Sequence, residues 1–114
     1  MTIAAFLEQV QNNPTTITFP ETIAVIEANY EFTPTTFQNG NQKNNAGENN
    51  GSCKVFAFAQ VQNLTPEQTL ALFGAYYFDE VLNDPNGTSH QNIRNFMEFG
   101  WDGIQFEGTA LTAK

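Results

Sequence analysis

Residues 52–63 read Ser-Cys-Lys-Val-Phe-Ala-Phe-Ala-Gln-Val-Gln-Asn, and this stretch decides the fold. Wound at 3.6 residues per turn, Val55, Phe56, Ala57, Phe58, Ala59 and Val61 leave no wide polar face, so the segment reads as a central helix buried nearly all round, capped by Ser52. Such a helix needs partners on several sides. The rest of the chain must supply amphipathic elements that close over it.

On the N-terminal side, Ile3, Phe6, Leu7 and Val10 stand at helical spacing behind Thr2, a suitable N-cap, and predict a short amphipathic helix over 3–12 that Pro14 ends. Residues 15–19 are β-prone. Pro20 and Glu21 in a first turn open a second helix that turns Ile23, Ile26 and Tyr30 inward and stops near Tyr30. From Phe32 to Gly51 the chain becomes polar, with Pro34 breaking regularity, an Asn39-Gly40 hairpin signal and the run NQKNNAGENNG, which together read as a long surface loop.

On the C-terminal side, Thr65-Pro66-Glu67-Gln68 is a capping box, after which Leu70, Leu72, Phe73, Tyr76 and Tyr77 point inward and Gly74 divides the stretch. Asp84-Pro85-Asn86-Gly87 is a turn, and a second box, Thr88 to Gln91, opens a last helix carrying Ile93, Phe96 and Met97 until Gly100 ends it. Ile104–Leu111 reads as strand or hairpin pairing with the Phe37 region. The fold class is therefore α+β: one α-dominated domain over residues 1–114, of about five helices with a small antiparallel sheet or hairpin.

Composition narrows the function classes. The chain has 114 residues, 40% of them hydrophobic, which suits one core and leaves no room for a second domain. Four Lys and Arg against 12 Asp and Glu give a net charge of −8, so a basic face for nucleic acid or anionic lipid is absent. No apolar run approaches a membrane span, and the N-terminus lacks a basic secretory leader. One cysteine and one histidine exclude both an internal disulfide and a Cys/His zinc site. The expectation is a cytoplasmic domain without cofactor or metal, acting on a protein or small-molecule partner.

Two groups of residues carry candidate chemistry. Cys53 at the start of the central helix, beside Lys54, reads either as a small buried hydrophobe or as a residue in surroundings that favour a thiolate, and His90 in another first turn either as a surface residue of the capping turn or, oriented by Asn92, Asp102 or Asp79, as a general base. Together Cys53, His90 and Asn92 would make a cysteine-dependent hydrolase or transferase. Alternatively, Asn49, Asn50, Ser52 and Lys54 form a glycine-containing loop feeding a helix N-terminus, where a ligand can be held; Gly47 and Gly51 stand one residue too close for a P-loop. Asp84 to Thr88 lacks the calcium-loop spacing. The runs Phe73 to Phe78 and Phe96 to Trp101 read first as core packing, and, since 11 Phe cannot all be fully buried in so short a chain, alternatively as an exposed aromatic patch for a partner.

The strings IAVIEANYEFTPTTFQNG (23–40), NNGSCKVFAFAQ (49–60), TLALFGAYY (69–77) and HQNIRNFMEFGWDGIQFEGTAL (90–111) resemble the HopJ type III effector family of small bacterial proteins. The resemblance implies a bacterial origin, one compact domain and injection into host cells by type III secretion, hence a host target. It implies no catalytic residues. The reading that combines both lines is a non-enzymatic interaction domain binding near Cys53 and the Asn-rich loop.

Overall fold

The computed structural model describes residues 1–114, and α3 (Asn50–Val61) runs through the middle of its core. Cys53, Val55, Phe56, Phe58 and Ala59 are each at most 1% exposed, as the all-round apolar pattern requires. Phe58 meets Phe6 and Tyr30 on one side, while Phe56 meets Phe37, Phe73 and Phe96 on the other. Around α3 pack α1 (Ile3–Asn12), α2 (Phe19–Asn29), α4 (Pro66–Ala71) and α5 (Gln91–Phe99). A π-helical segment, Tyr76–Val81, lies between α4 and α5. The radius of gyration, 13.2 Å, is that of one domain of this length.

Several elements follow from local chemistry. Thr2 Oγ1 accepts from the Ala5 N–H and starts α1. Thr18 does the same for Glu21 in α2, where Pro20 sits in the first turn. Thr65 and Gln68 form the full capping box of α4. Gly74, at φ +59°, divides α4 from the π segment, and a Cβ there would stand 2.9 Å from the Phe19 nitrogen. Only glycine lets the two backbones approach so closely.

Five three-residue strands make two antiparallel sheets. In one, β1 (Tyr30–Phe32) pairs with β5 (Leu111–Ala113); in the other, β2 (Phe37–Asn39) lies between β3 (Gln42–Asn44) and β4 (Ile104–Phe106), with Phe37 opposite Phe106. The pairing of the 104 region with Phe37 is as expected, but 104–111 is not a hairpin, since β4 and β5 join different sheets.

Four local expectations are corrected. The β-prone residues 15–19 hold a 3-10 turn, Pro14–Thr16, because the Thr16 hydroxyl and N–H both donate to the Asn13 carbonyl. Part of the long loop 32–51 is strand: the hairpin that Asn39-Gly40 signals forms between β2 and β3, with its turn at Gly40 and Asn41, one residue later than the signal places it. Gly40 at φ +60° in the first turn position favours the II′ geometry that matches strand twist. Ser52 does not cap α3, and Thr88 does not open α5. Those helices begin behind Asn49 and His90, both left-handed at φ 51° and 50° and neither making a side-chain cap.

Candidate functional site

The two unexpected helix starts face one another. Asn49 spends its side chain on Asn44 Oδ1, 2.6 Å away, so it folds the loop back and leaves the first N–H groups of α3 uncapped. His90 turns its ring away: Nε2 lies 3.0 Å from Glu80 Oε1, and the ring packs on Tyr76 at 5.0 Å. Between the two termini is a cleft of about 430 Å³ whose polar wall comprises Gln42, Asn49, Ser52, His90, Gln91 and Asn92. Two positive helix ends point into it. The side-chain oxygen of Gln42, a residue of this wall, is buried without a hydrogen-bond partner.

Phe19, Phe73 and Tyr76 belong both to this polar half and to a second hollow of about 430 Å³, lined by Thr15 to Pro20 and by Ala75, Phe78 and Asp79. The two hollows thus adjoin across a shared aromatic divide, as the aromatic and polar halves of a composite cleft. Phe19 stacks on Phe73 at 6.2 Å and meets Tyr76 edge-on at 5.2 Å. A Cβ on Gly51 would stand 3.0 Å from the Phe19 ring, so glycine lets α3 reach this wall. The π segment supplies Tyr76, Phe78, Asp79 and Glu80 from a single widened turn, the kind of helical irregularity often found at functional sites.

Behind the polar wall is a hydrogen-bonded set of asparagines. Asn39 Nδ2 donates to the main-chain and side-chain oxygens of Asn92, both 2.9 Å away. Asn44 and Asn92 exchange two side-chain bonds of 3.1 and 3.0 Å. Asn95 Nδ2 donates to the Asn39 carbonyl at 3.1 Å. All four are buried. They tie the β2–β3 hairpin to α5 and so fix both polar lips of the cleft.

The expected catalytic trio is not assembled. Cys53 is 1% exposed, its Sγ lies 3.6 Å from the Thr35 carbonyl, and its N–H is taken by Asn49 one turn back. Burial pushes its thiol up, outweighing the Thr35 hydrogen bond and the Lys54 charge that pull it down. That corrects the expected thiolate. No hydrogen bond joins Cys53 to His90, and Asn92 serves the asparagine set. Of the expected ligand residues, Asn49 and Ser52 line the cleft, Asn50 is exposed outside its lining, and Lys54 pairs with Glu27 at 3.2 Å. Sequence reasoning offered Tyr76 and Phe78 as an alternative aromatic patch but missed Phe19, Gln42 and Gln91.

Iodoacetamide should leave Cys53 unmodified in the native chain at about pH 8 and label it only in denaturant. Rapid native labelling would mean an open, activated thiol. The same burial has a pH consequence. A thiol whose folded-state pKa is raised contributes stability below its ordinary value of 9.0 and loses it as pH climbs toward the folded value, because the unfolded chain ionises first. The urea midpoint should therefore fall above about pH 9, and less steeply in Cys53→Ala.

Fold and cleft define a class: a small α+β domain with one composite cleft, half aromatic and half polar, at the meeting of two helix N-termini. The chain belongs to the HopJ type III effector protein family, whose model matches residues 3–111. It is also similar to the crystal structure of an unknown function protein, VPA0580, with a TM-score of 0.98 and 55% identity over 100% of this chain and 95% of that one. No curated protein matches it. No helix is long and apolar enough to cross a membrane.

Proposed function

We propose that the protein is a non-enzymatic binding domain whose ligand occupies the composite cleft. The observation that carries this reading is the convergence on one cavity of two uncapped helix N-termini and an aromatic wall, features of a small-molecule site in which apolar surface supplies affinity and a few polar groups fix orientation. The buried, protonated Cys53, away from His90, gives the hydrolase reading no support. A mixed library of small fragments, screened by amide shifts, should move Phe19, Ser52, Tyr76 and Gln91 together. Shifts confined to other surfaces, or none, would refute the cleft as the site.

Membership of a family described as type III effectors supports delivery into a host cell as the setting for this binding. Fused ahead of a translocation reporter, the N-terminal segment should give host-cell signal from a bacterium with an intact type III apparatus and none from a secretion-deficient strain. Equal signals from the two strains would remove delivery.

A further inference from the structure

The aromatic half of the cleft has a chemistry distinct from the polar half. Its wall carries Phe19, Phe73, Tyr76 and Phe78 and one carboxylate, Asp79, with no lysine or arginine. Phe73 is 2% exposed and Tyr76 40% exposed, and Tyr76 packs edge-on against Phe19 at 62°, so the wall is built of rings set at different angles. Ring faces are electron-rich and attract cations, most strongly where water is displaced. The same chain already makes such a contact, with Lys54 Nζ 4.9 Å from the centre of the Phe32 ring.

Charge points the same way. The chain carries −8, and two of its four cations are held elsewhere, Lys54 by Glu27 and Arg94 by the carbonyls of Ser89 and Asp84. A cation is therefore drawn toward the protein as a whole, and in the aromatic half the one charged side chain, Asp79, is negative.

The hydrogen bonding of this wall bears on the kind of cation. Thr16 Oγ1 donates to the Asn13 carbonyl and accepts from Gln9, while Thr18 Oγ1 donates to Glu21 and accepts from its N–H. With those hydroxyls committed, the side chains of Thr15 and Asp79 are left as acceptors on a wall otherwise made of rings, a sparse set for the three N–H donors of a primary ammonium. A cation without N–H donors needs no such partners. The volume, about 430 Å³, is that of a small-molecule site.

Resting on the cleft being the ligand site, we propose that its aromatic half binds a small quaternary ammonium compound of choline size, with Phe19, Tyr76 and Phe78 around the alkylated nitrogen and Asp79 balancing its charge. Choline and its uncharged tert-butyl isostere, dimethylbutanol, are titrated separately into the full chain while backbone amides are followed. Choline should shift Phe19, Tyr76 and Phe78 and bind about tenfold more tightly than the alcohol. Tyr76→Leu, which keeps apolar bulk at an exposed position, should weaken choline about tenfold and leave the alcohol nearly unchanged, and Asp79→Asn should weaken choline alone. Equal binding of choline and alcohol overturns the cation assignment while leaving the cleft as a site. So does silence from both compounds when other fragments still move the cleft amides. Tighter binding of a trimethyllysine peptide than of choline overturns the free small molecule as occupant. If no compound of any kind moves the cleft, the binding reading itself fails.

Discussion

Phe56→Ala is expected to lower the unfolding free energy by about 3–5 kcal/mol, read as a fall in the urea midpoint at unchanged m-value. The ring is fully buried, with the rings of Phe96, Phe73 and Phe37 at 5.0, 5.5 and 6.0 Å. Removing it costs the transfer of one phenyl group from water and leaves a hollow among three further rings on the sheet, α5 and the loop after α4, which cannot all close at once. A domain is stable by only about 5–15 kcal/mol, so this one change removes a large share. Val61→Ala, on the same helix but 54% exposed, should stay within about 0.5 kcal/mol. The loss should also reach the cleft: Phe73 lies between Phe56 and Phe19, so the wall of the aromatic half loosens when Phe56 is gone. A Phe56→Ala protein with a wild-type midpoint would mean that α3 is not the centre of the core.

That prediction was available before any coordinates, because an apolar pattern that leaves no wide polar face has only one physical resolution. The same holds for signals satisfied within a few residues: the Thr2 cap, the Thr65 and Gln68 box, and the stops at Gly74 and Gly100. The box at Thr88 and Gln91 has the same letters as the one at Thr65 and Gln68 and still fails. There the side chains have long-range work to do. Arg94 reaches back to Ser89 and Asp84 and holds the preceding turn, while Asn92 and Asn95 face the hairpin, so the helix starts later, behind a left-handed His90. Ser52 loses its cap role likewise, once Asn49 bonds to Asn44. At α5 the tertiary bonds of Asn92 and Asn95 outweigh a local one worth about 1 kcal/mol, whereas at α3 one local bond, Asn49 to Asn44, replaces another.

The strands were legible only through the Asn39-Gly40 turn and the pairing of the 104 region with Phe37, and their extent was not, for a related reason. β2 and β3 contain Gln38, Asn39, Gln42, Lys43 and Asn44, residues depleted in strands, and each strand is three residues long. What makes them strands lies far along the chain, in α5 and in β4. The cleft inherits this illegibility. Its aromatic half was legible only in part, as the alternative of exposed rings at Tyr76 and Phe78, whereas its polar half depends on two left-handed residues at the starts of two helices.

Asn92→Leu tests that dependence, and it should cost about 3–5 kcal/mol although it keeps the side chain's size. Asn92 Oδ1 accepts from Asn39 at 2.9 Å and from Asn44 at 3.1 Å, and its Nδ2 donates to Asn44 Oδ1 at 3.0 Å. Leucine removes all three bonds and strands the fully buried Asn44 Nδ2 at about 1–3 kcal/mol, while Asn39 Nδ2 keeps the Asn92 carbonyl and Asn44 Oδ1 keeps the Asn49 amide. The set begins with little slack, since Asn39 Oδ1 already lacks a partner. Because the bonds are shared, the effects of Asn44→Ala and Asn92→Leu should not add: once one partner is gone, removing the other costs less, and a double-mutant cycle should return a coupling of about 1–3 kcal/mol. Hydrogen exchange separates this from a general loss of core packing. In Asn92→Leu the amides of β2 and β3 should exchange much faster relative to those of α3 than in the wild type, because the hairpin loses its anchor while Phe56 and Phe58 keep theirs. If the variant costs less than about 1 kcal/mol, or if hairpin and α3 amides accelerate alike, then Phe37 and the main-chain ladder hold the hairpin unaided. The polar wall of the cleft would in that case be set by the sheet and not by the asparagines.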